Sequence, residues 1–204
     1  MLHSTSIQPP LGELLRAEEY LSSNDKTLAP LIASIPERWP NTADRNPIWG
    51  LACVVISQQI STKAAFTIRT RIATRFPELV NDWTSRVITE DSLRACGLSP
   101  RKAACCAYIF SNASLINRKL QSGADWQKDL VSVRGIGKWT LTIFRMLVLR
   151  EPDLFPEGDL GLMRAINRYY LPPVDLKAIT DAWRPYRSVA CWYLWRSLGN
   201  PPLG

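Results

Sequence analysis

The stretch LVSVRGIGKWT, from Leu130 to Thr140, decides the fold because it places two glycines one residue apart between two helical patterns. Glycine adopts positive φ angles without strain and lets the backbone approach a ligand closely. A helix that begins near Lys138 would direct its first N–H groups and the positive end of its dipole outward. The pattern predicts an anion site suited to a phosphate. The spacing alone fits an ordinary corner between two helices equally well, with the glycines acting only as caps.

Apolar residues recur at helical spacing on both sides of this stretch, and patterns typical of strands are scarce. We therefore predict an all-α fold of about ten helices. Pro47 is well placed in the first turn of a helix that is apolar on all sides, as a central buried helix would be. Ser99 and Pro100 are typical of the start of another helix. The predicted helices cover residues 11–22, 27–34, 47–58, 61–76, 99–120, 125–132, 138–149, 160–170, 176–183 and 186–198.

The composition of the 204 residues narrows the class of protein. Hydrophobic residues make up 46% of the chain, which is enough for a buried core. The formal net charge of +7 favours a polyanionic partner, nucleic acid or an anionic membrane surface, although an unrelated basic enzyme would show the same charge. No apolar run approaches the roughly 18 residues that a membrane span requires, and the first residues lack the pattern of a signal peptide. We expect no membrane partner.

Cysteine and histidine usage limits the chemistry. The cysteines are odd in number, lie in apolar helical patterns and include no CxxC pair, which predicts reduced, buried thiols in a cytosolic protein and argues against a zinc or iron–sulfur site. They are Cys53, Cys96, Cys105, Cys106 and Cys191. The single histidine, His3, lies close to the N-terminus, so histidine-based acid–base catalysis is not expected. The chemistry must rest on carboxylates, lysines or binding alone.

A second informative stretch, FPEGDLGLMR, runs from Phe155 to Arg164. Asp159 falls where a helix should begin, and the simplest interpretation is an N-cap. The dipole of that helix would also keep the carboxylate ionised. An ionised, partly desolvated carboxylate can stabilise an oxocarbenium-like sugar and orient a water molecule. Glu157 is close in sequence but is expected to point elsewhere. The spacing leaves both roles of Asp159 open.

Four matches make a family resemblance specific. The run from Val131 to Thr140, followed nineteen residues later by Asp159 in a Pro-x-x-Asp-Leu-Gly setting, resembles the helix-hairpin-helix DNA glycosylases. The stretches SQQIS at 57–61 and WRPYRS at 183–188 are similar to the 3-methyladenine DNA glycosylase II branch. The resemblance implies one domain over residues 1–204, in the short all-helical form. Its two packed helical lobes would comprise roughly 1–45 plus 155–204 and roughly 46–154, with the active-site cleft between them.

The resemblance implies a base-excision repair enzyme. Such an enzyme flips the target nucleotide out of duplex DNA and hydrolyses its N-glycosidic bond, which leaves an abasic site. The implied substrates are alkylated purines, 3-methyladenine and 7-methylguanine, and the family's essential aspartate matches Asp159. Trp139 occupies the position of the lysine that gives bifunctional relatives their lyase activity, so a monofunctional hydrolase is expected. Two alternatives stay open: the same fold acting on a deaminated or oxidised base, and a non-catalytic DNA-binding protein.

The resemblance also assigns site residues. Phosphate contacts match Gly135, Gly137, Lys138 and Thr140. Backbone carbonyls that would hold a Na⁺ or K⁺ ion match those of Val131, Val133 and Ile136. The side chain that plugs the gap in DNA best matches Gln59, with Gln58 and Ile60 as neighbours. Aromatic positions of the base pocket match Trp139 and Trp195, and Ile143 stands where a relative has a further aromatic.

The remaining expectations concern partners and surroundings. The implied partner is double-stranded DNA that contains damaged bases, bound by a monomer in the cytoplasm, or in the nucleus if the source is eukaryotic. No cofactor is required beyond the possible hairpin cation. Arg101 and Lys102, after the Ser99 cap, either supply another phosphate contact or form a solvated helix end.

Overall fold

The computed structural model describes residues 11–39, 46–82, 84–123, 125–199 and 203, so His3 lies outside the described residues. Within them the chain forms thirteen helices and no strand, which confirms the predicted all-α class. The helices are α1 Leu11–Asn24, α2 Leu28–Ser34, α3 Pro47–Ser57, α4 Thr62–Arg75, α5 Glu78–Asn81, α6 Glu90–Ala95, α7 Pro100–Ser111, α8 Ala113–Ser122, α9 Trp126–Ser132, α10 Lys138–Leu147, α11 Leu160–Tyr169, α12 Leu176–Ala182 and α13 Arg187–Ser197.

The helix count exceeds the predicted ten for two reasons. The helices α5 and α6 have four and six residues, too few for a periodic pattern to emerge. The helix predicted over 99–120 is broken at Asn112, whose backbone leaves helical geometry at φ −105° and ψ 13°. The side-chain amide of Asn112 donates to the backbone carbonyl of Tyr108. Asparagine competes in this way with the helical hydrogen bonds of its neighbours.

The chain divides into two compact units, and the second comprises Arg45–Phe144 and Pro202–Gly204. Its centre is α3, in which every residue from Ile48 to Ile56 is buried, as its uniform apolar pattern predicts. Asn46 caps this helix, because its side-chain oxygen accepts from the amides of Ile48 and Trp49. The helix packs mainly against α4 and α7. This arrangement fixes where the C-terminal end of α3 emerges.

The first unit comprises Met1–Asp44 and Arg145–Pro201. Its centre is α13, which is buried from Ser188 to Trp195 and packs against α1, α2 and α11. Buried polar groups tie distant segments together. The Tyr193 hydroxyl donates to Glu18 at 2.5 Å. These bonds satisfy polar groups that the packing removes from water.

The second boundary between the units lies at 144–145, whereas the lobes that the resemblance implied divide near 154. The loop after α10 explains the difference. Ser188 of α13 accepts from the Leu154 amide and donates to the Glu151 carbonyl, and Arg187 pairs with Asp153 at 2.6 Å. These bonds attach the loop to the first unit. None of them is visible as a periodic pattern in the sequence.

All five cysteines are buried thiols without disulfides, as predicted. Burial raises the pKa of Cys105 to about 11, and it raises the pKa values of Cys106 and Cys191 well above the ordinary range. A raised pKa keeps these thiols protonated and unreactive at neutral pH. In the part of the chain that the structure describes, no helix is long and apolar enough to cross a membrane.

Candidate functional site

The predicted hairpin is formed by α9, α10 and the turn at residues 133–137. Gly135 adopts φ +109°, and a Cβ atom at this position would lie 3.1 Å from the Cβ and Sγ atoms of Cys105. Only glycine satisfies both the positive φ and the close approach. Gly137 is different, because a Cβ there would meet nothing within 4 Å. The space around Gly137 is open to a ligand, and its carbonyl accepts from Leu141 as α10 begins.

Two exposed cations flank the turn. Lys138 occupies the first position of α10, and Arg134 lies in the turn itself. Neither forms an ion pair with any residue that the structure describes. A helix N-terminus beside solvent-exposed cations attracts anions. Arg134 was not among the predicted contacts, although its place between the two arms of the hairpin could have indicated it.

Two residues predicted to contact DNA hold the hairpin from inside instead. The Gln58 amide donates to the carbonyl of Gly135 at 3.0 Å and to the hydroxyl oxygen of Thr140 at 2.8 Å. Thr140 is buried, so its hydroxyl is not presented to a phosphate as expected. Position 140 lies on the inner face of α10, which the glycine pattern does not reveal. Gln58 and Thr140 therefore fix the turn, and their contact with DNA stays a prediction.

The residues after α3 form a short exposed loop. Gln59 is exposed and adopts φ +54°, a conformation that is uncommon for a residue with a side chain. Such strain persists only where the surroundings hold it, and it clusters at functional sites. Ser61 then caps α4 by accepting from the Ala64 amide. The predicted plug, Gln59, is thus a protruding side chain on a tightly held backbone.

Lys102 provides neither of its two predicted roles. Its ammonium donates to the carbonyls of Ile56 and Gln58, at 2.8 and 2.6 Å, and so caps the C-terminal end of α3. Partial burial lowers the pKa of Lys102. Arg101, by contrast, is exposed at the start of α7. The sequence alone could not distinguish these neighbours, because the carbonyls that bind Lys102 are 44 and 46 residues away.

In the first unit, Asp159 is the N-cap of α11 and is buried. Its Oδ1 atom accepts from the Leu162 amide at 2.7 Å and from the Trp195 indole N–H at 3.0 Å. Hydrogen-bond donors and the positive end of a helix dipole both stabilise a carboxylate. Asp159 can therefore cap α11 and be available to stabilise an oxocarbenium-like sugar at the same time. The helices α11 and α13 each supply one donor that binds the buried Asp159 carboxylate.

A cavity of about 280 Å³ is lined by Gly161, Arg164, Trp195 and Leu198, and Trp195 is the residue that donates to Asp159. A Cβ atom at Gly161 would lie 3.3 Å from Asp159 Oδ1 and 3.7 Å from Trp195 Cδ1. The glycine therefore allows the indole and the carboxylate to meet. Trp195, which was predicted to line the base pocket, lines this cavity and also donates to Asp159. No pattern of spacing or periodicity indicated this bond in advance.

The other predicted pocket residues lie on α10. Trp139 is half-buried, which leaves part of its ring accessible. Ile143 has no exposed surface and is part of the core of the second unit. The 3.6-residue period turns Ile143 inward beside Phe144, and its place in a base pocket stays a prediction.

Residues 52–185 match the family described as "HhH-GPD superfamily base excision DNA repair protein". The chain belongs to this superfamily. The match includes the hairpin and Asp159, whereas Trp195 lies beyond it. The family match agrees with the resemblance seen in the sequence.

Individual proteins are also similar to this chain. A Mycobacterium tuberculosis protein, "Probable bifunctional transcriptional activator/DNA repair enzyme AlkA", is 33% identical over an alignment of 193 residues that covers 87% of this chain but only 38% of that protein. "DNA-3-methyladenine glycosylase 1" of Schizosaccharomyces pombe is 28% identical over 90% of this chain and 87% of its own length. The solved structure of S. pombe 3-methyladenine DNA glycosylase Mag1 in complex with abasic DNA has a TM-score of 0.73 and 25% identity, and covers 90% of this chain and 97% of that one.

Proposed function

We propose that this protein is a monofunctional DNA glycosylase that removes alkylated purines, 3-methyladenine foremost, from duplex DNA. The observation that carries the proposal is the buried Asp159 carboxylate in a chain of the HhH-GPD superfamily. This carboxylate is held by Leu162 and by Trp195, and Trp195 also lines a cavity. Relatives named DNA-3-methyladenine glycosylase support the choice of lesion. We extend the proposal to 7-methylguanine because both lesions carry a delocalised positive charge.

The proposed reaction needs little acid–base chemistry. The bond between C1′ of the sugar and the base nitrogen breaks, and its electron pair neutralises the positive charge of the alkylated base. The sugar becomes oxocarbenium-like, and the fixed negative charge of Asp159 stabilises it. A water molecule then adds to C1′ and releases one proton, which leaves an abasic site. A cationic base is a good leaving group, so no general acid such as histidine is required.

We propose that the DNA is held through its backbone. The amide groups of Gly137 and Lys138 would bind a phosphate at the start of α10, and Arg134 and the Lys138 side chain would add charge. The half-buried ring of Trp139 would stack on a cationic base, a contact worth about 1–2 kcal/mol. Gln59 would occupy the gap that the flipped nucleotide leaves. The protein would act as a monomer wherever the DNA is, in the cytoplasm or the nucleus.

We further propose a monovalent cation at the hairpin. The carbonyls of the last helical turn lack partners within the helix, and α9 ends at Ser132, between Val131 and Val133. The carbonyls of Val131, Val133 and Ile136 are neutral oxygen ligands, which suit Na⁺ or K⁺. The Val133 carbonyl already accepts from the Ile136 amide at 3.0 Å and would use its second lone pair. The ion would rigidify the turn and take no part in the reaction.

The decisive experiment measures free bases released from methylated duplex DNA, with strand nicking followed separately. Wild type should release 3-methyladenine without nicking, since Trp139 stands where a lyase would need lysine. Asp159→Asn should bind abasic DNA normally and lose at least about a thousandfold in single-turnover excision, the scale expected when a charge that stabilises the transition state is removed. Asparagine keeps an acceptor for Leu162 and Trp195, so the fold should survive.

Glu157→Gln is the matched control, because it removes an exposed carboxylate two residues away. It should excise bases like wild type. Near-normal turnover by Asp159→Asn would refute the catalytic role of Asp159. Tight DNA binding by wild type with no base released would indicate another lesion or a non-catalytic protein, and oxidised and deaminated bases would be tested next.

A further inference from the structure

The carbonyl groups at the end of α3 are held by a charged side chain from α7. Lys102 Nζ lies 2.8 Å from the Ile56 carbonyl oxygen and 2.6 Å from that of Gln58. A helix leaves its last carbonyls without partners, and the negative end of its dipole favours a cation there. Lys102 is half-buried and forms no ion pair with a described residue. Its ammonium is therefore committed to the backbone of this one segment.

The bond to Gln58 has a specific geometric consequence. The Gln58 carbonyl belongs to the planar peptide that joins Gln58 to Gln59. Holding this carbonyl fixes the peptide plane from which the φ angle of Gln59 is measured. Gln59 adopts φ +54°, which a residue with a side chain does not maintain without support. By holding the Gln58 carbonyl, Lys102 supports the backbone immediately before the N–Cα bond of Gln59, about which φ is measured.

The side chain of Gln58 is held as well as its backbone carbonyl. Its side-chain amide donates to the Gly135 carbonyl and to Thr140 in the hairpin. The helix that carries Lys102 reaches the hairpin as well, because Cys105 packs against the Cα of Gly135 so closely that a Cβ would lie 3.1 Å away. One helix, α7, thus supports both the loop that carries Gln59 and the turn proposed to bind phosphate.

We infer that Lys102 is a positioning residue that fixes the Gln58–Gln59 peptide and thereby aims the Gln59 side chain into DNA once the hairpin has bound its phosphate. The inference rests on the proposed function, since it concerns the same interface. Lys102 would affect the DNA only by positioning Gln59, and it would not contact the DNA itself. The loop and the hairpin then act as one preorganised element, and the strain at Gln59 is already present before DNA arrives.

A double-mutant cycle tests this action, because residues that act through one another show non-additive effects. The variants are Lys102→Met, Gln59→Ala and the pair together. The probe is a DNA duplex with a tetrahydrofuran abasic analogue in one strand. The opposite strand carries 2-aminopurine at the neighbouring base pair. The fluorescence of 2-aminopurine rises when an inserted side chain disrupts its stacking. Dissociation constants for this duplex are measured at several salt concentrations, and melting temperatures are recorded. Single-turnover release of 3-methyladenine is measured in parallel.

Lys102→Met should reduce the 2-aminopurine signal at saturating protein to the level of Gln59→Ala and slow excision by about tenfold, as expected for a misplaced group. The double variant should be no worse than Gln59→Ala alone. The salt dependence of binding should stay unchanged. Lys102→Arg should restore part of the signal, because a guanidinium can donate to both carbonyls.

Arg101→Met is the matched control, since it removes the same charge from the adjacent exposed residue. It should keep the 2-aminopurine signal, and its effect should combine additively with Gln59→Ala. A retained signal in Lys102→Met, or additive losses in the double variant, would overturn the inference. A salt slope lowered by about one would instead identify Lys102 as a phosphate contact. If wild type disturbs 2-aminopurine through Lys102 and Gln59 yet excises no base, the proposed function fails and this inference stands.

Discussion

At the scale of single residues, the carboxylate of Asp159 depends on an indole 36 positions later in the chain. The N-cap position of Asp159 could be predicted because its signals are local: a preceding turn and a helical pattern that follows. The donor could not be predicted. The helix α13 is apolar or buried on all sides, so no face of it marks Trp195 as different from its neighbours.

Replacing this indole with a ring that lacks the N–H group should isolate the contribution of the bond. Trp195→Phe keeps an apolar wall beside the cavity but removes the donor to Asp159. We expect the single-turnover excision rate to fall by about tenfold, because hydrogen bonds to charged groups contribute about 1.5–3 kcal/mol. The affinity for abasic DNA should change much less. Rapid-quench kinetics and binding titrations separate the two quantities.

Trp192→Phe is the control for this substitution. Trp192 lies on the same helix, and its indole N–H donates to the Glu37 carbonyl rather than to Asp159. This variant should keep the wild-type excision rate even if its melting temperature falls. Equal rate losses in both variants would mean that Trp195 acts only by packing.

At the scale of helices and turns, the sequence predicted the long helices well and the hydrogen bonds between them poorly. Proline and glycine mark helix ends through local backbone geometry, so the start of α3 at Pro47 and of α7 at Pro100 could be placed in advance. The bond from Gln58 to Gly135 joins residues 77 positions apart, and no spacing within either segment encodes it. The same limit explains why Thr140 and Ile143 were assigned to surfaces that the structure buries.

The two glycines of the hairpin should respond differently to a methyl group. Gly135→Ala places a Cβ in a positive-φ residue against Cys105, and it should destabilise the protein by about 1–3 kcal/mol. Gly137→Ala meets nothing within 4 Å, so its melting temperature should stay close to wild type. Its methyl group would project where a phosphate approaches, and the affinity for DNA should fall. Thermal unfolding and fluorescence anisotropy with a short duplex measure both effects. Equal melting temperatures for the two variants would contradict the geometry of Gly135.

At the scale of the whole molecule, buried ionisable groups predict how stability depends on pH. Burial raises the pKa of Cys105 to about 11, and burial and a carboxylate neighbour raise the pKa values of Tyr170 and Tyr193 above the ordinary range. In the unfolded chain these groups lose their protons near their ordinary values of about 8.5 and 10. The folded state holds more protons in alkaline solution, so its stability falls as the pH rises.

The melting temperature should therefore be nearly constant up to about pH 8.5 and should fall by about 5 °C or more between pH 8.5 and 11. Tyr193→Phe removes one of the responsible groups while it keeps the ring in the core, and its alkaline decline should be shallower. Calorimetry at a series of pH values measures both curves. A melting temperature that stays constant to pH 11 would show that these side chains titrate normally in the folded protein.

The division of the first unit between two distant stretches of chain has a consequence for the order of events during synthesis. The bonds from Glu18 to Tyr193 and from Asp25 to Trp183 close separations of 175 and 158 residues. These contacts cannot form until the ribosome has released the later stretch, whereas nearly all of the second unit is continuous from 45 to 144. The second unit can fold on the ribosome before α13 has been synthesised. Until then, the apolar faces of α1 and α2 that pack against α13 are exposed. Apolar surface that is exposed during that interval is open to aggregation.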